Sequence, residues 1–173
     1  MNRIAALDPG RIVVFLCRLF SEQVICVHQE ALGSPHFAVA YERGRLMPLF
    51  TGSASKIILV NLPPRQLRAL YARSEEAFAA GGWGSDWPDV RRNLREMRGA
   101  GYCRSTAELD RGMRGLSVPL MGPSGAIIGS LSVAAPIANL AADSIDRFIA
   151  ALQDAALRTQ QELARQTLVW PGR

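Results

Sequence analysis

The chain has 173 residues, of which 49% are hydrophobic, and this length and composition suit one domain with a substantial core. Its 20 basic and 15 acidic residues give a net charge of +5, but the basic residues are scattered, so the charge alone does not indicate nucleic acid as a partner. The sequence contains neither a run of about eighteen apolar residues nor a secretory signal pattern, so we expect a cytoplasmic protein that does not contact a membrane.

Two apolar segments rich in β-branched residues open the chain. They span residues 11–19 (RIVVFLCRL) and 23–29 (QVICVHQ), and the polar residues 21–22 between them suit a tight turn. The sequence therefore predicts an antiparallel hairpin.

The register of this hairpin decides the environment of two cysteines. If Phe20 pairs with Gln23, Cys17 faces Cys26 across the strands. A redox pair is one interpretation, and two reduced thiols in the core are the favoured one. Together with Cys103 the cysteines are three in number and show no CxxC spacing, so we expect no disulfide framework, no metal site and no cofactor.

The middle of the chain changes from strand-like to helical patterns. Alternating apolar residues in 36–44 and the short segment 46–50 predict another strand or pair of strands. Helices are predicted over 53–62, 64–79 and 86–99 from apolar periodicity and from the prolines near their ends.

The last of these helices has recognisable end signals, since Asp86 suits its N-cap and Gly99 is expected just past its end. Residues 113–121 and 125–134 then form the clearest hairpin in the sequence. A long helix over 138–168 follows, with apolar residues every three or four positions that would cover a sheet face or a partner subunit. Because strands and helices do not alternate strictly, the order predicts an α+β fold with an antiparallel sheet flanked by helices.

One segment combines a turn of small residues with the start of a helix. Residues 44–63 read GRLMPLFTGSASKIILVNLP, so the first NH groups of the helix near Ser53 are accessible to a carboxylate. A simple helix cap is the competing interpretation. Ser53 and Lys56 also match the SxxK pattern of serine acyl-enzymes, although the KTG motif of those enzymes is missing.

Two segments resemble the signatures of the isocitrate lyase regulator (IclR) family of bacterial transcription regulators. Residues 44–63 are similar to a family segment with Gly-Arg, Pro-Leu and a small-residue turn ending in Gly-Lys-Ala. Residues 101–136, GYCRSTAELDRGMRGLSVPLMGPSGAIIGSLSVAAP, are similar to a second signature and match its spacing without insertion. The resemblance covers about residues 10–165 and implies a GAF-like, effector-binding domain with a long C-terminal helix.

The resemblance also implies a site for a small carboxylate or aromatic acid between the helix start and the signature strands. The resemblance assigns this site to a set of mostly small residues and to two larger residues that would form an apolar wall. The small set is Gly52, Ser53, Ala54, Ser105, Met113, Gly115, Ser132 and Ala134, and the wall is Met47 and Phe50. No catalytic and no metal-binding residue is implied.

Four positions depart from the family pattern. Ser55 replaces a glycine, Gly115 stands where a cysteine is common, Ser105 where an aspartate is common, and Ala134 replaces a serine. These changes predict a roomier and less polar pocket that suits an aromatic or branched acid.

The family places a winged helix-turn-helix ahead of this domain, whereas only about ten residues precede the first strand here. We therefore expect residues 1–10 to be a residual linker, 11–168 the effector-binding domain and 169–173 a tail, in an excised fragment or a shortened protein. The expected role is non-enzymatic: binding of a small organic acid by a homo-oligomer, a dimer or tetramer, that contacts DNA only through a domain absent from this chain. A standalone ligand-binding or partner-binding GAF-like protein and an SxxK hydrolase are the alternatives.

Overall fold

A six-stranded antiparallel sheet forms the centre of the structure, a computed structural model that describes residues 11–33 and 39–169. The strands lie in the order β3-β2-β1-β6-β5-β4, and every neighbouring pair is antiparallel. They are β1 (Arg11–Phe20), β2 (Gln23–Gly33), β3 (Leu46–Pro48), β4 (Cys103–Thr106), β5 (Met113–Met121) and β6 (Ile127–Pro136).

Five helices cover the two faces of this sheet. They are α1 (Ser53–Val60), α2 (Pro64–Arg73), α3 (Glu75–Ala80), α4 (Trp87–Ala100) and α5 (Ile145–Val169). Alternate residues of β1 show the division, because Val13 and Phe15 belong to a core shared with α1 to α4, whereas Ile12 and Val14 belong to a core shared with α5. The predicted α+β class and the antiparallel sheet with flanking helices are confirmed.

The first hairpin has the predicted register. Phe20 pairs with Gln23, and Cys17 lies opposite Cys26, just past a bulge that begins at Leu16. Both thiols are free and buried. The hydrogen bond with Cys26 and burial raise the pKa of the Cys17 thiol, so it stays protonated at neutral pH.

The strand predicted over 36–44 is wrong for the part that the structure describes. Residues 34–38 lie outside the described residues, residues 39–42 form no strand, and Arg43 makes only an isolated bridge to Cys26. The alternating apolar residues reflect burial in the core, since Val39 and Tyr41 are both buried there.

The helix predicted over 64–79 is interrupted at Ser74. Ser74 has a non-helical φ of −142°, and its NH donates to the Tyr71 carbonyl and ends α2. The break redirects α3, so that the buried Phe78 ring packs 5.4 Å from the Tyr71 ring and 4.9 Å from the Phe50 ring. Core packing therefore overrides the local helical pattern.

The predicted start of α4 is confirmed, and its predicted end is wrong. Asp86 accepts a hydrogen bond of 2.9 Å from the Asp89 NH, as an N-cap does. The helix continues through Gly99 and ends at Gly101, whose φ of 72° is the left-handed conformation that stops a helix.

The long C-terminal helix begins later than expected, at Ile145 instead of residue 138. Residues 137–144 form turns around the fully buried Leu140, whose carbonyl accepts from the Arg114 guanidinium. From Ile145 onward α5 packs on β5, which confirms that it covers a sheet face. Strand β4 was not predicted, because four mostly polar residues carry no readable alternation.

None of the helices in the described part of the chain is long and apolar enough to span a membrane. The predicted linker 1–10 lies outside the described residues, as do residues 170–173 of the predicted tail.

The α5 core yields a prediction on stability. Leu152 is fully buried against the sheet, whereas Leu157 on the same helix is 53% exposed. We expect Leu152→Ala to lower the free energy of unfolding by about 2–5 kcal/mol, and Leu157→Ala to change it by no more than about 0.5 kcal/mol, in urea titrations. Equal losses in the two variants would contradict this packing.

Candidate functional site

The candidate site is built around the start of α1, where one position must be glycine for two separate reasons. Gly52 has a φ of 80°, which side chains other than glycine rarely adopt. A Cβ atom at this position would also lie 2.5 Å from Leu109 Cδ1 and 2.7 Å from Tyr41 Oη. The turn that begins α1 is therefore closely covered by two other segments of the chain.

The first NH groups of α1 are unequally satisfied. The Gly52 NH donates to Glu108 Oε2 at 3.1 Å, and the same carboxylate oxygen lies 2.8 Å from Lys56 Nζ. The NH groups of Ser53 and Ala54 have no acceptor among the described residues, although both residues are buried. Unpaired NH groups at a helix start carry partial positive charge, so this point favours an anion.

Tyr41 holds the other side of the turn. Its hydroxyl accepts from the Ser55 NH at 3.2 Å, shares a bond of 2.7 Å with Ser55 Oγ, and donates to the Thr51 carbonyl at 3.2 Å. Its ring stacks on Phe15 of β1 with 5.2 Å between centroids. Burial raises the pKa of the Tyr41 hydroxyl, so this group remains neutral and acts only as a hydrogen-bonding anchor.

Serine hydroxyls connect α1 to the sheet. Ser117 Oγ of β5 donates to Ser53 Oγ at 2.8 Å, and both groups are buried. Ser132 of β6 pairs directly with Ser117, is fully buried, and has a hydroxyl that lacks a partner within the described part of the chain. Sequence reasoning missed Ser117, although it lies two residues beyond Gly115 and so on the same face of the strand.

The predicted extra space at Gly115 is not found. A Cβ atom there would lie 2.6 Å from Ser53 Oγ and 2.9 Å from Ser105 Oγ, so two hydroxyls already fill the volume that a side chain would take. The expectation of a roomier pocket is corrected accordingly. Gly115 instead allows α1 to approach β5 closely.

A small cavity of about 30 Å³ lies between this turn, the sheet and the β4–β5 loop. A volume of this size accommodates only one or two water molecules. Five predicted site residues line it together with residues that the sequence did not single out. The predicted ones are Ser53, Ser105, Met113, Gly115 and Ala134, and the others include Phe15, Val39, Tyr41, Glu108, Leu109 and Asp110.

The remaining predicted residues lie around the cavity without lining it. Ala54 is fully buried behind the turn, and Ser132 lies within the sheet. Met47 and Phe50, the expected apolar wall, are packed into the core, where the Phe50 carbonyl accepts from Trp83 Nε1 at 3.0 Å. The structure therefore does not bring Met47 and Phe50 to the same cavity as Ser53.

The SxxK arrangement does not have the geometry of an acyl-enzyme. Lys56 Nζ is paired with Glu108 and lies 5.6 Å from the centre of the Trp83 ring, whereas Ser53 Oγ is bonded to Ser117. No hydrogen bond joins Ser53 to Lys56 in the part of the chain described. A lysine whose Nζ atom pairs with a carboxylate instead of the serine is not placed to accept the serine proton.

Comparisons with known proteins agree with the order of elements. A family model described as Bacterial transcriptional regulator IclR C-terminal matches residues 11–161. The chain is 20% identical to the Pca regulon regulatory protein of Pseudomonas putida over 132 residues, which are 76% of this chain and 45% of that protein. The chain thus spans less than half the length of this curated relative.

Solved structures share the fold at low sequence identity. The C-terminal domain of the E. coli transcriptional regulator KdgR has a TM-score of 0.71 at 19% identity, over 95% of this chain and 93% of that one. An IclR transcriptional regulator from Alicyclobacillus acidocaldarius has 0.74 at 18%, over 94% and 65%. A double mutant of the PobR inducer-binding domain from Acinetobacter, in complex with 3-hydroxybenzoic acid, has 0.74 at 18%, over 92% of each chain.

The close approach of α1 to β5 at Gly115 can be tested by comparing substitutions at Gly115 and at the surface residue Gly99. Gly115→Ala forces its methyl group onto Ser53 Oγ, and we expect a loss of about 1–3 kcal/mol in the free energy of unfolding. Gly99→Ala, on a helix surface with nothing within 4 Å of the added carbon, should raise stability by up to about 1 kcal/mol. Urea denaturation of both variants measures this, and a neutral Gly115→Ala would refute the tight contact.

Proposed function

The chain belongs to the bacterial transcriptional regulator IclR C-terminal family and is an effector-binding domain of that type, and we propose that its cavity beside α1 binds the carboxylate of a small organic acid. The observation that carries the proposal is the pair of buried NH groups of Ser53 and Ala54, which lack an acceptor among the described residues. A carboxylate has the charge and the two acceptor atoms that this helix start would bind.

The other residues that line the cavity favour an acid with an apolar body. Phe15, Val39 and Met113 provide apolar lining, while Ser105 offers a hydroxyl for a polar substituent. Such a mixture of apolar lining and few polar groups is typical of small-molecule sites. An aromatic acid is the favoured class, since one similar domain was solved with 3-hydroxybenzoic acid and the curated relative is described as a Pca regulon regulator.

The proposed role is regulatory and not catalytic. The pairing of Lys56 with Glu108 supports binding in place of acyl transfer. In this proposal residues 11–168 act as the sensing unit, and residues 1–10 and 169–173 as linker and tail. The proposed assembly is a dimer or tetramer in the cytoplasm, and ligand binding would change the packing between its subunits. This change would alter the affinity of an attached DNA-binding domain, which this chain does not contain, for its operator.

Thermal unfolding of the purified chain tests the ligand class. At 100 times its dissociation constant, a bound acid adds about 2.7 kcal/mol, which raises the Tm of a domain of this size by roughly 5–10 °C. We expect such a saturable shift with 3-hydroxybenzoate or a related aromatic acid. The matched neutral amide, 3-hydroxybenzamide, should give little shift because it lacks the charge that α1 binds. Equal shifts for acid and amide, or none across a broad panel of acids, would contradict the proposal.

Ser132 allows binding to be separated from stability. Because its buried hydroxyl has no partner among the described residues, Ser132→Ala should leave the unliganded Tm unchanged or raise it slightly. We propose that the larger cavity of the liganded protein reaches this hydroxyl, which does not line the cavity described here. The same change should therefore weaken binding of 3-hydroxybenzoate by about fivefold to tenfold in calorimetry, and unchanged binding would exclude this contact. Ser124→Ala in the exposed β5–β6 turn is the control and should alter neither quantity.

A further inference from the structure

The connection between β4 and β5, residues 107–112, covers the cavity beside α1. We propose that this segment, here called the lid, is closed in the unliganded protein and must open for an effector to bind. We further propose that Glu108 holds it closed by placing a carboxylate of the protein itself at the positive end of α1. This inference rests on the proposed function, because it concerns access to the same site.

The small size of the cavity favours such a movement. Its volume of about 30 Å³ is far below the roughly 300–1,000 Å³ of typical small-molecule sites. Four consecutive lid residues, Ala107 to Asp110, form one side of it, and Leu109 also covers the α1 turn at Gly52. The opposite side is sheet and α1, which are fixed by the core. The lid is thus the part of the lining that can move with the least loss of packing.

The first contact that closes the lid involves Glu108. Its Oε2 atom accepts from the Gly52 NH at 3.1 Å and lies 2.8 Å from Lys56 Nζ. The free NH groups of Ser53 and Ala54 follow directly along the helix. An effector carboxylate on those two groups would be a second negative charge beside Glu108, and both charges would share one helix end and one lysine. Like charges at such a distance repel, so binding of the acid would favour release of Glu108.

A second contact closes the other end of the lid and does not touch α1. Asp110 Oδ2 accepts from the Ala40 NH at 2.8 Å, across 70 positions of sequence. Ala40 is half-buried in the segment that leads to β3. The two carboxylates therefore tie one loop to two separate parts of the domain. Asp110 also lines the cavity, so Asp110→Asn, which loses the charge and keeps an acceptor oxygen, is needed to separate the contact from the charge.

The backbone at both ends of the lid suits a hinge. Ala107 has a φ of 53°, a left-handed conformation that alanine rarely adopts, and Gly112 has a φ of 73°. The Ala107 NH donates to the Met113 carbonyl at 2.8 Å, which closes the base of the lid. A strained residue at one end and a glycine at the other allow the loop to swing on short segments while β4 and β5 stay paired.

A closed lid lowers the apparent affinity for the effector by the fraction of molecules that are open. Variants that loosen the lid should therefore bind the acid more tightly, chiefly through faster association. This result is the opposite of what loss of an ordinary ligand contact produces.

Hydrogen–deuterium exchange on the unliganded protein tests the lid without any ligand. In the wild-type chain the amides of Gly52, Ala40 and the lid should be protected. Asp110→Ala and, independently, Glu108→Gln should speed lid exchange about tenfold, because each removes a charged acceptor. Asp110→Asn, which keeps an acceptor oxygen, should restore most of the protection. Glu42→Ala, the loss of an exposed carboxylate two residues from Ala40, is the matched control and should change nothing. Amides of α5 report whether each variant is folded.

A wild-type lid that exchanges as fast as an unstructured peptide, or exchange unaffected by both substitutions, would overturn the inference. Trypsin gives an independent readout, since the exposed Arg111 lies within the lid. Cleavage after Arg111 should be slow in the wild-type chain and several-fold faster in Asp110→Ala.

Binding of 3-hydroxybenzoate then separates this inference from the proposed function. Tighter binding with faster association supports the lid when Asp110→Ala shows it and Asp110→Asn does not, because both variants lack the charge and only the first loses the acceptor. Weaker binding by Glu108→Gln would mean that Glu108 supports the site and would overturn the competition. If lid exchange responds to the substitutions as expected but the protein binds no acid, the proposed function is refuted and the closed lid is still supported. If the protein binds the acid but both substitutions leave lid exchange unchanged, the proposed function is supported and the lid is refuted.

Discussion

The arrangement of this domain depends on one electrostatic constraint. The positive end of α1 is buried against the sheet, beside a cavity with room for only one or two water molecules, so its NH groups have few possible partners. Glu108 satisfies the Gly52 NH, and Tyr41 satisfies that of Ser55. Those of Ser53 and Ala54 have no partner among the described residues. Leaving such groups buried without a partner costs free energy, and the anion that we propose to bind there would recover it. A site that is incomplete without its ligand is well suited to sensing.

Close approach of backbone and small side chains makes this burial possible. Gly52 lets Leu109 and Tyr41 pack onto the turn, and Gly115 lets Ser53 reach β5. A side chain at Gly115 would push α1 away from β5, and one at Gly52 would displace Leu109 and Tyr41 from the turn. The hydroxyl of Ser117 then compensates for the polar atom that α1 brings into the core.

One ion pair and two uncharged groups define the electrostatics of the core around the site. Lys56 is held by Glu108, the Tyr41 hydroxyl is kept neutral by burial, and the Cys17 thiol is kept protonated. The Tyr41 hydroxyl and the Cys17 thiol therefore stay uncharged at neutral pH. In our proposal, the charge of the cavity and access to it both depend on the β4–β5 loop, as a domain that senses an acid would require.

The sequence by itself determined the class of fold, the first hairpin with Cys17 opposite Cys26, and the turn at Gly52 as the candidate site, because periodicity, glycines and end signals are local properties. It did not determine the break at Ser74 or the burial of residues 39–42, since core packing decided them. Only the tertiary structure showed that Gly115 is filled by two hydroxyls, that Ser117 bonds to Ser53, and that Phe50 belongs to the core. Contacts between positions 50 to 70 residues apart, such as Glu108 with Gly52, leave no periodic trace in a single sequence, and these contacts shape the site.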